Sequence, residues 1–356
     1  CSGGVMVWVL YEPEGEDAVR TINAWLPFQQ RWELPPDTPE GEIRISCLPR
    51  FLDARNVSPR KIMMRSGVAC LGEAYVRDSL EMAVPEKKDP AVEMRLEEYT
   101  LDLGRKVGEK TFLVDEALPV SESAPAVQQI ISCTLDPVLL DNRVVTDKLV
   151  FRGVGKGTLL YMAEDGQVHT TSFEPGFSQY TELGEAFGTD ARADIRMAVT
   201  SLEPELEENG TVRIKCGLLA QYLIREPERV QVLEDVYSPL REVQANRHLP
   251  ELPVMEKKIT GNAPVEVKLP GEAMRIVEER VLPDFPQQHF RGDDGEVSCS
   301  GNLQVLYYDS SNQLQQAVSR WEGSASVNAG GMGVPMLCPQ PCQLHAEISS
   351  DGMTLK

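Results

Sequence analysis

The feature that most constrains this chain is an internal repeat. Gly3-Gly4-Val5-Met6-Val7-Trp8-Val9-Leu10-Tyr11 is answered by Gly153-Val154-Gly155-Lys156-Gly157-Thr158-Leu159-Leu160-Tyr161, and the two tyrosines stand 150 residues apart. Leu26-Pro27-Phe28-Gln29 is answered by Pro175-Gly176-Phe177-Ser178-Gln179, and Gly67 by Gly217. A third copy opens at Gly301, where Leu303-Gln304-Val305-Leu306-Tyr307 closes 146 residues after Tyr161. A unit of about 150 residues is too long for a solenoid repeat and suits a whole domain. The 356 residues therefore divide into a partial first repeat (1–87), a complete central repeat (88–238) and a partial third repeat (239–356). Because this register opens and closes inside a unit, we expect the sequence to be a window on a longer polypeptide.

Within each unit the hydrophobic period is two, which is the period of strands. Ile195, Met197 and Val199 alternate with Asp194, Arg196 and Ala198, and in the first copy Ile43, Ile45 and Cys47 alternate with Glu42, Arg44 and Ser46. Val212, Ile214, Cys216, Leu218, Ala220 and Tyr222 share one face of a long strand; its counterpart carries Ile62, Met64, Ser66, Val68, Cys70 and Gly72. The core is expected to hold Ile43, Ile45, Ile195, Met197, Val199, Val212, Ile214, Cys216 and Leu218. Asn209-Gly210 is a hairpin turn signal, and Glu226-Pro227-Glu228 reads as a second turn ahead of Val230-Gln231-Val232-Leu233. In the connectors, Pro125 precedes a stretch from Ala126 to Ser132 that reads as a short helix. Met274, Val277 and Val281, at i, i+3 and i+7, predict another. The fold class that follows is mainly β: tandem β-sandwich-like repeats of about 150 residues, with short helices in the connectors.

Charge narrows the function. Thirty-five Lys and Arg against 55 Asp and Glu give a net charge of −20. A duplex or an anionic membrane is bound through clustered cations, so nucleic acid and polybasic lipid docking are disfavoured. The longest aliphatic run, Val5 to Leu10, is far short of the ~20 residues of a membrane-spanning helix. An apolar fraction of 42% is enough for proper cores.

Candidate chemistry is sparse. The cysteines are 1, 47, 70, 133, 216, 299, 338 and 342. Cys47, Cys70 and Cys216 fall on the apolar phase of their strands, where a thiol packs as a small hydrophobe; none recurs between copies as a disulfide framework does. Cys338 and Cys342 are the one close pair, and with only His345 nearby they lack the spacing of a metal site. Reduced thiols point to an intracellular setting. His169, His248, His289 and His345 are scattered singly, so no repeated base stands beside a nucleophile. Gly153-Val-Gly-Lys-Gly-Thr158 fails the phosphate-loop spacing, because Gly157 follows Lys156 and a strand follows that. Arg291-Gly292-Asp293 and the acidic run Glu203 to Glu208 read as solvated turns. Asn56-Val57-Ser58 and Asn209-Gly210-Thr211 fit a glycosylation pattern too short to carry weight. No catalytic, cofactor-binding or metal-ligating residues are assigned, no cofactor is expected, and the chain reads as a non-enzyme.

The order of motifs in the central unit resembles a known family. Ala124-Pro125-Ala126-Val127-Gln128-Gln129-Ile130-Ile131-Ser132, then Val144 to Gly153, then Leu159-Leu160-Tyr161, then Phe177-Ser178-Gln179 resemble the SPOCS domain. This is the family of SipL-like spore morphogenesis and spore coat-associated proteins of endospore-forming Firmicutes. The resemblance covers about residues 100–238, and copies one and three match in part. Ala126 stands where the family usually has an acidic residue, Gly176 is inserted in the "PFSQ" element, and the third copy has Trp321-Glu322-Gly323-Ser324 there. Family members often end in a LysM module, and nothing in 1–356 looks like one.

The resemblance implies a structural and assembly role in the spore envelope through protein–protein interaction. Expected partners are other proteins, among them spore-coat basement-layer components, with self-association as a further interaction. The implied location is the mother-cell cytoplasm at the developing spore surface. The alternative is a β-sandwich ligand-binding module, for glycans for example, in a cell-surface array or filament. In that case Trp8, Trp25, Trp32 and Trp321 should cluster on an exposed face, with a groove at Trp25 and Trp32; packing in a core or rim is the plainer expectation for them.

Overall fold

A computed structural model describes residues 1–15, 19–36, 38–76, 79, 91–118, 125–242, 244, 266–291, 294–328, 347–349 and 352–355. All regular structure among them is strand: β1 (Ser2–Tyr11), β2 (Arg20–Gln29), β3 (Glu42–Ser58), β4 (Lys61–Tyr75), β5 (Glu93–Leu118), β6 (Val127–Val145), β7 (Lys148–Ala163), β8 (Val168–Phe173), β9 (Gly176–Glu182), β10 (Arg192–Leu206), β11 (Val212–Tyr237), β12 (Val267–Lys268), β13 (Ala273–Pro283), β14 (Gln287–Arg291), β15 (Asp294–Asp309), β16 (Leu314–Asn328) and β17 (Thr354–Leu355). Every pairing is antiparallel.

The central region is a two-sheet sandwich. One sheet has the order β6-β7-β8, with β9 also on β7; the other is β10-β11-β5. Between them lie Leu135, Leu149, Phe151, Leu159, Tyr161, Phe177, Ile195, Ile214, Cys216, Leu218 and Tyr222, all buried. The period-two face read from the sequence is the one turned inward, since Val212, Ile214, Cys216, Leu218, Ala220 and Tyr222 are all buried. Asn209-Gly210 forms its turn: Gly210 has φ +83°, and the Asn209 side chain accepts from Thr211 N at 2.8 Å. A positive φ is sterically free only to glycine, which is why Gly210 stands there.

The connector helices do not exist among the described residues. Both stretches are the opening strands of sheets, β6 and β13. The cause is a pair of β-bulges in each. The ladder shifts at Val127/Gln129 and Ile130/Ser132 in β6, and at Ala273/Arg275 and Ile276/Glu278 in β13. Each bulge adds an unpaired residue and breaks the alternation. The buried positions of β13 consequently fall at Ala273, Val277 and Leu282, four and five apart, which mimics a helical stripe. Met274, assigned to that stripe, is 64% exposed.

Two further expectations change. The chain does not turn at Pro227: β11 runs through it, paired with β5 to Tyr237. β10 accompanies β11 only as far as Arg225, so at Pro227 one side of the strand has no ladder for a missing N–H to break. In the core, Ile43 and Val199 are 53% and 37% exposed, whereas Arg44 is buried at 1%. Ile45 and Met197 are half-buried, and Ile195, Val212, Ile214, Cys216 and Leu218 are buried as expected.

Pairing registers recur at the spacings seen in the sequence. Ile130 faces Tyr161 and Ile276 faces Tyr307; Tyr161 faces His169 and Tyr307 faces Gln315; Gly153 faces Phe177 and Cys299 faces Gly323. Every residue of these second pairs lies 146 positions after its counterpart. In the first region Gly3 faces Phe28 as Gly153 faces Phe177. The bulge at Pro49/Phe51 in β3 matches that at Val199/Ser201 in β10, 150 residues on.

Candidate functional site

One of the isolated histidines, His169, lies at a joint between sheets. His169 on β8 stacks on Tyr161 at 5.9 Å between ring centroids, and its Nε2 lies 2.8 Å from Asp165 Oδ2. From β13, Arg275 donates to Val168 O at 3.2 Å and to Gln167 Oε1 at 3.3 Å, and its guanidinium lies over the Tyr308 ring. Backbone donation from Gln167, with His169 and Arg275 close by, holds the Asp165 carboxyl below its ordinary range. The Tyr308 hydroxyl accepts from Val168 N at 2.9 Å in a buried contact. Around it pack Ile131, Leu160, Met162, Val168 and Val277, joined by Leu10, Val19, Leu306 and Leu314. This apolar cluster thus draws on the β1–β2, β7–β8 and β15–β16 regions. His289 is exposed on β14, where it lines a shallow hollow with Gln287, Glu296 and Ser298. His248 and His345 lie outside the described residues.

A second joint is ionic. The buried Arg44 of β3 brings Nη1 to 2.7 Å from Asp194 Oδ2 of β10, and Arg196 of β10 pairs with the buried Glu73 of β4. Arg44 and Glu73 face each other across β3 and β4, so two charges of each sign alternate at the seam. Buried charge persists only when paired in this way. Ile45 N donates to Gln221 Oε1 at 3.2 Å and Val107 N to Glu42 Oε2 at 3.0 Å, which ties β3 to both β11 and β5. Burial pushes the Tyr75 hydroxyl up, helped by the Glu73 charge and opposed by the Arg44 and Arg196 charges. Sequence alternation had assigned this face to Ile43, because a lone arginine in a strand gives no sign of its partner 150 residues away.

The third joint ties β3 to the β13–β15 corner. Arg50 Nε donates to Asp284 Oδ1 at 2.9 Å, and Ser300 Oγ donates to Asp284 Oδ2 at 3.1 Å. Burial pushes the Asp284 carboxyl up, but these hydrogen bonds and the Arg50 and Arg320 charges outweigh it and hold it below the usual carboxylate range.

Thiols separate into two kinds. Cys133 and Cys216 are buried, and desolvation pushes them up to about 12 and about 11. Cys47, read as lying on the apolar phase of its strand, is exposed. It stands directly opposite Cys70 with 3.3 Å between sulfurs, and Cys1 Sγ is 3.9 Å from Cys47 Sγ. Burial first, then the Cys70 thiol, pushes Cys47 up to about 12. Sequence reasoning missed this cluster because its members are spaced 46 and 23 residues apart, with no short motif. Cys338 and Cys342 lie outside the described residues.

The tryptophans do not form one face. Trp321 is buried, while Trp25 and Trp32 are exposed, Trp25 lying across Gly4 and Trp32 beside Gly72. Of the Arg291-Gly292-Asp293 turn, Arg291 pairs with Asp294, and the two residues between lie outside the described set. An open cleft runs between the β6–β7 turn and the 187–193 loop, lined by Arg143, Thr146, Phe187 and Arg192 among others. Among the described residues no helix is long and apolar enough to cross a membrane.

The architecture defines a class: an antiparallel, multi-sheet β protein in which ionic and apolar joints bind one sheet region to the next. Residues 126–207, spanning β6 to β10, match the family described as SipL, SPOCS domain. That domain implies a sporulation-associated role. No match is found among curated proteins or among solved structures.

Proposed function

We propose that this chain is a non-enzymatic assembly protein of the spore envelope, acting by protein–protein interaction in the mother-cell cytoplasm at the surface of the developing spore. Its units are tandem SPOCS-like repeats, 1–87, 88–238 and 239–356. The SPOCS match supports a sporulation-associated role. The observation that carries the assembly reading is the recurrence of one pairing register at 146 and 150 residues. A chain built of repeated surfaces gains avidity by high effective concentration, so several weak contacts hold a partner that one cannot.

The contact itself is assigned to an open sheet edge. β5 is the edge of the β10-β11-β5 sheet and carries Leu113, 78% exposed. An exposed edge is a template for strand addition by a partner or by a second copy. Its neighbours Lys110, Asp115 and Glu116 act as guards against indiscriminate pairing, and the charge of −20 opposes self-association at low salt. Coat basement-layer components are the partners proposed.

The test is co-sedimentation of the chain with isolated coat basement-layer proteins over a range of salt. Binding that Leu113→Lys weakens supports the reading. Absence of binding at every salt concentration defeats it. The exposed Trp25 and Trp32 favour a second reading, a glycan-binding module in a surface array. Saturable binding of one oligosaccharide, lost in Trp25→Ala and Trp32→Ala, would establish that reading instead.

A further inference from the structure

We infer that Cys1, Cys47 and Cys70 form a three-thiolate site for a thiophilic divalent cation of the Zn²⁺ class, at the junction of the β1–β2 and β3–β4 sheets. Their three sulfurs lie within 4.8 Å of one another, with separations of 3.9 Å for Cys1–Cys47 and 3.3 Å for Cys47–Cys70. Thiolates on a tetrahedral zinc with ~2.3 Å bonds stand about 3.8 Å apart, a spacing that lies between the two separations of 3.9 Å and 3.3 Å and within about half an ångström of each. No other group of three or more potential ligands is gathered in this way among the described residues.

The backbone fixes all three. Cys47 and Cys70 are cross-strand partners in the β3–β4 ladder. Cys1 is tied to the end of β2, with Gln30 N donating to Cys1 O at 3.0 Å. Three sulfurs are one more than a disulfide uses, and soft thiolate donors select zinc and similar ions over magnesium or calcium. Cys1 and Cys47 are exposed, which gives an ion a way in and leaves the fourth position to water. Each thiol that binds gives up its proton to the buffer, so binding tightens as pH rises. The equivalent of Cys70 in the central unit is Ala220 and that of Cys47 is Met197, facing each other at the same register. The site is therefore a property of the first unit and not of the repeat, and it stands independently of the assembly role.

The experiment titrates the reduced full chain with Co²⁺, reading the thiolate-to-metal charge-transfer band, and then with Zn²⁺ against a chromophoric chelator. One equivalent per chain is expected. Each of Cys1→Ser, Cys47→Ser and Cys70→Ser should weaken retention beyond the ~10–100-fold that loss of an outer-shell partner costs. Cys299→Ser and the Cys338→Ser/Cys342→Ser double variant should leave it unchanged. Cys47 is exposed, so its variant keeps the fold, checked by circular dichroism in the absence of metal. Binding that ignores these three residues, binding that follows Cys338 and Cys342, or a Cys47–Cys70 disulfide that resists the reductant overturns the assignment.

Discussion

The β3–β4 and β10–β11 pairs share one backbone plan and differ in what surrounds it. Both carry a bulge at the same place, and in both a glycine faces the residue after it: Gly67 faces Phe51 and Gly217 faces Ser201. Yet Val212, Ile214 and Leu218 of β11 are buried, whereas Ile62, Met64 and Val68 of β4 are only half-buried. β11 has β5 on its other side and a sheet across its inner face; among the described residues β4 pairs as a strand only with β3. Register is thus a property of the strand pair, while burial is a property of its neighbours. Where neighbours are fewer, the sequence is free to place thiols and charges on the face that elsewhere holds the core.

The sharpest way to break this comparison is a matched pair of substitutions. Leu218→Asp leaves a carboxylate unpaired in the sandwich and should cost about 4–5 kcal/mol or more, on the scale of the whole domain's stability. Val68→Asp, its equivalent on β4, should cost on the order of 1 kcal/mol. Urea denaturation followed by near-ultraviolet circular dichroism separates the two, and equal losses would refute the claim that neighbours set burial.

A second pair tests the glycine–aromatic contact. A Cβ on Gly153 would lie 2.3 Å from Val138 O and 2.4 Å from the Phe177 ring, whereas a Cβ on Gly3 would meet only the Phe28 ring at 2.9 Å. Gly153→Ala should cost about 1–3 kcal/mol, the range of overpacking. Gly3→Ala should cost less, because a half-exposed ring can swing aside. Melting temperatures of the two variants give the comparison.

The third concerns pH. Asp284 has its carboxyl held low in the folded chain, so its contribution is full above the unfolded carboxylate value of about pH 4 and is lost as pH falls through the folded one. With an effect on the order of 1 kcal/mol, Arg50→Ala should flatten acid sensitivity between β3 and the β13 corner, as read by hydrogen exchange there. The smallest effect is at the β6–β7 turn. Thr146 has φ 54°, costly for a β-branched residue, and the third copy has Gly292 at the corresponding place. Thr146→Gly should raise stability by up to about 1 kcal/mol in the same denaturation assay.

How much of this could be read beforehand depends on distance along the chain. The inward face of β11 was legible because alternation over eleven residues has one physical reading. The bulged starts of β6 and β13 were not, since two extra residues turn a period of two into something helix-like. Arg44 and the cysteine trio were hidden for another reason: each depends on residues far away in sequence. Alternation reports which side of a strand is apolar, and it is silent on which sheet comes to lie against it.

The apolar cluster around Tyr308 has a consequence for how the chain could have diversified. Leu10, Leu160 and Leu306 hold matching places in three regions and converge on that one cluster, as do Val19, Val168 and Leu314. A core supplied by three strand ladders behaves like a lock with three similar wards: the same change made in each ladder alters one small volume three times over. Change must then be staggered, one ladder swelling where another shrinks. Met162 and Tyr308 follow Tyr161 and Tyr307 at the same 146-residue spacing, and only the tyrosine reaches across to Val168 N. That hydroxyl gives the cluster a direction, so the β15–β16 ladder that carries Tyr308 can serve as neighbour to β7–β8 but cannot exchange places with it.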